Sequence, residues 1–270
     1  MVLYTCSHPG AQACLASVTG PVEVRMRDEL TDSATFQVVV SPLENVAGIP
    51  TKALATEFQA LFESVLLLHR HPRTLIQLVI QTTSKPPTAT PTVNLSLNRG
   101  GSATASEEEQ QKRHAPLLLG PDVPFTFAEI AASINASTLA LIDAGIPLRA
   151  TIIATSCAVV SIDDALRTRD VDPTKGSYWY VPRLTSSVLV DPSPEEEKVA
   201  ESCHVYAFAF SGYNPLSPKD AESELAAQLV YYASTGRTNG KKRAELFVVA
   251  EESAERQLGY LRDALRTQDV

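Results

Sequence analysis

Apolar and polar positions in the first third of the chain follow a two-residue period. Ala13–Thr19 is a short apolar run, broken at Gly20-Pro21. From Val22 to Arg27, Val22, Val24 and Met26 alternate with Glu23, Arg25 and Arg27, which predicts a hairpin with one dry face and one charged face. Ala34–Val40 reads as a third strand, closed by Ser41-Pro42. The period then changes. Phe58, Leu61, Phe62, Val65 and Leu66 fall at i, i+3, i+4, i+7 and i+8, which predicts a helix between Thr56 and His69 that Pro72 ends. Leu75–Thr82 returns to alternation, with Ile76, Leu78 and Ile80 on the drier face.

The second half is punctuated more sharply. Thr126-Phe-Ala-Glu129 has the spacing of a capping box, in which the side chains at the two ends satisfy helix-terminal N–H groups. Ile130, Ile134, Leu141 and Ile142 run through the helix it opens, with Ala131, Ala132, Ser133, Ala136 and Ser137 between them. So many small side chains imply close approach of another element. Gly145 suits the left-handed residue that ends a helix, and Pro147 prevents continuation. Thr151–Ile162, Ser187–Val190, Cys203–Phe210 and Gln228–Ala233 read as strands, Gly236–Arg243 as a basic turn, and Ala244–Arg266 as a helix with Leu258, Leu261 and Leu265 on one face. Two polar stretches interrupt this order. Residues 83–124 are rich in proline, threonine, serine and glycine and carry the charged run Glu107–Arg113, a composition that cannot bury enough apolar surface to offset its ordering entropy. Residues 163–183 form a second polar insertion containing Trp179. The expectation is one α+β or mixed α/β domain over residues 1–270, with helices packed against a sheet and insertions at 83–124 and 163–183.

Composition narrows the function classes. Hydrophobic residues make up 44% of the 270 and charged residues 20%, enough for a sizeable core and inconsistent with wholesale disorder. No apolar run is long enough for a membrane span. The start of the chain has neither a basic segment nor a sustained apolar one, against a secretory signal at this end. A net charge of -8 means that any contact with nucleic acid runs through a local basic patch or an assembly. Cys6, Cys14, Cys157 and Cys203 lack metal-ligand spacing, so zinc is not expected and the thiols read as free; Cys157 and Cys203 sit in apolar runs, as small buried hydrophobes do.

Candidate chemistry is sparse. There is no dinucleotide fingerprint, P-loop or nucleophile elbow. His69 and His71 stand beside Arg70 and Arg73, and read either as a polar helix end complementing the helix dipole or as a phosphate-contacting patch. Together with Arg25, Arg27 and Arg149, Arg70 and Arg73 are the candidates for RNA contact. Asp191-Pro-Ser-Pro-Glu195-Glu196-Glu197 follows a strand directly; carboxylates there could hold Mg²⁺ or move a proton, or form a solvated acidic turn.

Four segments, in order, resemble the RNase PH-like subunits of the exosome ring. Ser17-Val-Thr-Gly-Pro-Val-Glu23 with Arg27-Asp-Glu-Leu30 resembles their opening hairpin, and His71–Gln81 their helix-to-strand junction. Ile134-Asn-Ala-Ser-Thr-Leu-Ala-Leu-Ile-Asp-Ala-Gly-Ile-Pro147 is similar to their most characteristic helix, and Ser187–Glu197 to the strand and acidic turn that follow. The resemblance implies an RNase PH-type α+β domain, a mixed sheet packed against helices, related to the second domain of ribosomal protein S5. It also implies partners: other RNase PH-like ring subunits, cap subunits, and single-stranded RNA passing through the assembled channel. It implies no cofactor and no membrane, and a place in the nucleus, nucleolus and cytoplasm.

Active members of that family carry a Gly-Gly-Thr-Arg-type phosphate loop before the characteristic helix, because inorganic phosphate must be held in line by N–H donors and an Arg fork. Here the matching stretch is Phe127-Ala-Glu129-Ile130, with an aliphatic side chain where the Arg belongs. Active members also carry two Asp residues six apart in the acidic turn, where this chain has Asp191 and Glu197. The expectation is a non-catalytic ring subunit with a vestigial acidic pair and no resident metal. The alternative is a metal-dependent or residual phosphorolytic 3′-exoribonuclease using Asp191 and Glu197.

Overall fold

The computed structural model describes residues 2–5, 13–43, 46–84, 125–161, 186–193, 196–197, 200–211 and 226–268. The insertions expected at 83–124 and 163–183 lie outside these residues, apart from Thr83 and Ser84, which end a strand. Among the described residues, eight strands and three α-helices run in the order β1 (Val2–Thr5), β2 (Ala13–Glu23), β3 (Thr35–Ser41), α1 (Ile49–Glu63), β4 (Thr74–Ser84), α2 (Phe127–Asp143), β5 (Thr151–Ser161), β6 (Ser186–Val190), β7 (Ser202–Ser211), β8 (Ala226–Gly236) and α3 (Gly240–Gln268). The fold is α+β, and the mixed sheet expected from the sequence is the first of two. In that sheet, ordered β1-β2-β4-β3, β3 pairs parallel to β4 and the other pairs are antiparallel. The second, ordered β6-β5-β7-β8, is antiparallel throughout.

The dry face of the first sheet follows the two-residue period. Ile76, Leu78 and Ile80 of β4 are buried with Phe36, Val38 and Val40 of β3 and with Cys14 and Ala16 of β2. Against them pack Leu54, Phe58, Leu61 and Phe62 of α1 and the small face of α2. Ile152, Ala154, Val205 and Ala207 of the second sheet close the same core from the other side. Helix α2 therefore lies between two sheets, which explains its composition: Ala131, Ala132, Ser133, Ala136, Ser137 and Ala140 are all buried, and larger side chains would hold the sheets apart. The opposite face of the second sheet buries Ile153, Cys157, Tyr206, Phe208 and Phe210 against Leu246, Ala250, Ala254 and Leu258 of α3.

Several expectations need correction. No hairpin turns at Gly20-Pro21. Strand β2 passes through that point with a register shift between Thr19 and Val22 and stays paired to β4 as far as Glu23–Thr74. Beyond Glu23 no strand among the described residues pairs with it, and Val24–Arg27 leaves the sheet. Met26 is 93% exposed rather than on a dry face. The antiparallel partner of β2 on its other side is β1. Helix α1 starts earlier and ends earlier than expected. Gly48 and Pro50 open it, and it ends at Glu63, well before Pro72. Val65 and Leu66 extend the apolar stripe because they are buried beside a bridge to Leu148, not because the helix continues. A separate 3-10 turn, Leu68–Arg70, carries His69 and Arg70, so these residues do not complement the dipole of α1. The expected basic turn at 236–243 is already helical from Gly240. Gly236, at φ 88°, ends β8, where a side chain would run into the Glu201 carbonyl.

Candidate functional site

Helix α2 begins as the sequence predicts, with one change. The N-cap Thr126 hydroxyl accepts from the Glu129 N–H at 3.2 Å. The reciprocal half of the capping box is replaced: the Glu129 carboxylate turns inward, is fully buried, and accepts from the Thr82 hydroxyl of β4 at 2.6 Å. The Cys14 thiol lies 3.4 Å from the Ser133 hydroxyl just below. Gly145, at φ 68°, closes the other end, with the Ile146 N–H donating to the Leu141 carbonyl at 3.1 Å.

The first N–H groups of α2, which the cap leaves over, are taken by Glu197. Its two carboxylate oxygens accept from the Phe127 N–H at 3.3 Å and the Ala128 N–H at 2.9 Å. A helix N-terminus is a ready anion seat, since unsatisfied N–H groups and the helix dipole both favour negative charge there. In this chain the seat holds the chain's own carboxylate, at the stretch where the sequence resemblance expects a phosphate loop. Burial pushes the Glu197 carboxyl up to about 7; the two backbone N–H groups oppose this and the Glu129 charge adds to it. Ile130 is half-buried and carries no polar group for an anion.

Asp191 faces elsewhere. It sits at φ 51°, a left-handed conformation that Asp tolerates, at the end of β6. Its N–H donates to the Ser156 carbonyl at 2.9 Å, and its side chain accepts from the Ser156 hydroxyl at 3.2 Å and from Gln257 Nε2 of α3 at 3.4 Å. Gln257 in turn accepts from Asn135 Nδ2 at 3.4 Å. The Asn135 amide also bonds the backbone of Ala154 on both sides, donating to its carbonyl at 2.8 Å and accepting from its N–H at 2.7 Å. Asp191 thus belongs to a polar network joining α2, β5, β6 and α3, while Glu197 belongs to the start of α2. The two acids expected as a pair are turned to different partners. Neither Asn135 nor Gln257 was singled out as functional from the sequence. The available signal was one amide in an otherwise apolar and small-residue helix face.

Among the described residues, no group of three or more His, Cys, Asp or Glu side chains is arranged to hold a metal ion, and no helix is long and apolar enough to cross a membrane. Cys14, Cys157 and Cys203 are buried thiols outside any disulfide. His204 is buried between the second sheet and the residues leading into α3. Its Nδ1 lies 3.0 Å from the Tyr232 hydroxyl, and its Nε2 lies 3.1 Å from the Ser202 hydroxyl and 3.0 Å from the Thr238 hydroxyl. Burial, helped by Arg243, lowers its pKa.

Four of the five candidate arginines share one end of the first sheet. The turn carrying Arg25 and Arg27 is closed by an Asp28 N–H to Arg25 carbonyl bond and fastened by the Thr35 hydroxyl to the Asp28 carbonyl at 2.7 Å. The Arg73 N–H donates to the Leu30 carbonyl at 3.2 Å, and Arg73 Nε is 3.3 Å from Glu29, so the turn lies against the segment bearing Arg70 and Arg73. Arg149 lies in the connection between α2 and β5, where its N–H donates to the Val65 carbonyl. All five side chains are exposed, but Asp28, Glu29 and Asp32 accompany them, so the patch is mixed in charge.

No family model matches the chain. Two curated proteins are similar in sequence. The exosome complex component RRP46 of Saccharomyces cerevisiae is 26% identical over 196 residues, which is 73% of this chain and 63% of that protein. The exosome complex component rrp46 of Schizosaccharomyces pombe is 29% identical over 140 residues, 52% of this chain and 45% of that protein. The chain therefore spans less than two thirds of either relative. Among solved structures, rice (Oryza sativa) Rrp46 matches with a TM-score of 0.59 at 17% identity, covering 98% of this chain and 92% of that one. The likeness to RNase PH-like exosome ring subunits carried by the four motifs therefore holds, in sequence against two RRP46 proteins and in fold against a third.

Proposed function

We propose that this chain is a non-catalytic subunit of the RNA exosome core ring, supporting 3′-to-5′ RNA processing and degradation, including maturation of ribosomal RNA. The sequence relation to two proteins named as exosome components supports ring membership. Its partners on this reading are other RNase PH-like subunits and the cap subunits, and it works in the nucleus, nucleolus and cytoplasm. The observation that carries the non-catalytic part is the seat of Glu197 on the Phe127 and Ala128 N–H groups. Phosphorolysis needs a bound phosphate dianion, whose desolvation must be offset by donors and positive charge. At the start of α2 the donors are engaged by the Glu197 carboxyl, the buried Glu129 carboxyl is turned to Thr82 and offers no donor, and Ile130 stands where an Arg would be needed.

The exoribonuclease alternative is weaker for a geometric reason. A metal-dependent reaction at Asp191 and Glu197 needs both oxygens on one ion, whereas Asp191 engages Ser156 and Gln257 and Glu197 engages the helix end. On the same reading, Arg25, Arg27, Arg70, Arg73 and Arg149 contact the backbone of single-stranded RNA in the assembled channel.

The test incubates labelled single-stranded RNA with the purified chain, with and without phosphate and Mg²⁺, alongside the Asp191→Ala/Glu197→Ala variant. Background release in all conditions is expected. Phosphate-dependent nucleoside diphosphate that disappears in the double variant would overturn the non-catalytic reading. Phosphate-independent nucleoside monophosphate that disappears in it would establish the nuclease instead.

A further inference from the structure

The segment joining β8 to α3 carries four of the chain's 23 Lys and Arg residues within seven positions: Arg237, Lys241, Lys242 and Arg243. It is held in place on both sides. Gly236 pairs with Ser202 at the end of β8. The Thr238 hydroxyl lies 3.0 Å from Nε2 of the buried His204, and the Arg243 N–H donates to the Asn239 carbonyl at 2.9 Å as α3 begins. The Arg243 guanidinium stands 6.0 Å from the centre of the Tyr232 ring. Lys242 is 3.9 Å from the Glu201 carboxylate. Among the described residues, no carboxylate forms an ion pair with Arg237, Lys241 or Arg243, and all three are exposed. The fold does not account for them. Cations are favoured at the C-terminal end of a helix dipole and disfavoured at its N-terminal end, and the first turn of α3 contains no acid to offset them. In a chain of net charge -8, this group of cations lowers the stability of the helix it opens.

We propose that Arg237, Lys241 and Arg243 form a second contact for the phosphate backbone of single-stranded RNA, separate from the arginines at the end of the first sheet. The choice of RNA as the polyanion rests on the ring reading. Two of the three cations are arginines, whose planar forks match phosphate oxygens. Ser234, Thr235 and Asn239, all exposed, stand among them, and such neutral donors are part of the usual mix in phosphate contacts. At the first patch Asp28, Glu29 and Asp32 accompany the arginines; here Glu201, on Lys242, and Glu245 do so. The two patches lie at opposite ends of the second sheet. Strand β5 starts at Thr151, two residues after Arg149, and its Val159 pairs with Ser202, which pairs in turn with Gly236. Thr151 to Val159 spans about 26 Å of strand. The two patches therefore hold different phosphates, and an RNA strand crossing this subunit is held at two points.

The test measures binding of a fluorescent oligouridylate of about 20 nucleotides to the purified full chain by anisotropy, from about 50 to 300 mM KCl. The parent is compared with Arg237→Glu/Lys241→Glu/Arg243→Glu and with Arg70→Glu/Arg73→Glu. The triple variant is expected to bind at least tenfold more weakly at about 100 mM salt. Its log–log salt slope should be shallower by about two, since each lost single-strand phosphate contact removes about 0.7. Its Tm should equal or exceed that of the parent, because acids replace cations at the start of α3; a lower Tm would show that these cations serve the fold and would overturn the proposal. Unchanged affinity and slope in the triple variant, with weaker binding in Arg70→Glu/Arg73→Glu, would overturn the second contact and leave the first patch in place. Unchanged binding in both variants would overturn both patches. Polyglutamate of equal charge binding the parent as tightly as the RNA, and lost in the triple variant, would assign the surface to an acidic protein segment and overturn the proposal.

Discussion

Asn135→Ala tests the arrangement that holds α2 between the two sheets. Strand β5 pairs with β7 from Thr151 onward, but with β6 only from Cys157. On its β6 side, Ala154 therefore presents an N–H and a carbonyl with no strand of the described residues beside them. The Asn135 amide completes that ladder, with bonds of 2.7 and 2.8 Å, both donor and acceptor being buried. Removing it leaves two buried backbone groups unpaired at about 1–3 kcal/mol each. The alanine frees a little space that water can enter, which brings the expected loss to about 3 kcal/mol. Asn135→Leu fills the space but supplies no polar atom, so it should lose at least as much despite its larger apolar surface. Urea denaturation of the full chain, followed by circular dichroism, reads the change as a lower midpoint at constant slope. A loss under about 1 kcal/mol for both variants would show that the Ala154 groups are satisfied in another way, and the account of Asn135 as a substitute strand would be wrong.

Three further outcomes follow from the same structure. Ala136 is fully buried between the sheets, so Ala136→Leu should destabilise by about 1–3 kcal/mol through overpacking, seen in the same denaturation series. His204 is held neutral by burial, so its contribution is complete above its unfolded pKa near 6.5 and is lost as pH falls towards its lowered folded value; His204→Gln should flatten the acid side of a Tm-against-pH curve relative to the parent, and unchanged curvature would contradict this. Reversing Arg70 and Arg73 to Glu in an assembled ring should weaken RNA retention and lower its salt slope by about two, with little dependence on sequence; an unchanged slope would remove these residues from the RNA path.

What could be read from the sequence depended on whether local periodicity and tertiary environment agreed. Strand β4 was legible because Ile76, Leu78 and Ile80 alternate and are buried on one face. Helix α2 was legible because Thr126 and Gly145 mark its ends chemically, and its small residues announced close packing. Helix α1 was misplaced because Val65 and Leu66 continue its apolar spacing after the helix has ended, and because exposed Ile49 breaks the stripe at its true start. The supposed second strand of a hairpin, Val22–Arg27, alternates correctly but runs out of partners at Glu23. At the candidate site, residue types were legible and their directions were not. Asp191 and Glu197 are six residues apart, yet a left-handed residue at one end and a tight turn at the other send their side chains to different helices. No spacing rule could place Glu197 on the terminus of a helix 70 residues earlier, or Glu129 under a strand.

The central claim is that this chain works as a structural member of a ring of related but different subunits. Native mass spectrometry of the assembly purified on the tagged full chain from its own cells tests it most directly, because composition and stoichiometry are read together. The expected result is one copy of this chain with other RNase PH-like and cap subunits in near-equal amounts, and no ring built from this chain alone. A homohexamer, or a chain recovered without stoichiometric partners of that family, would contradict the account.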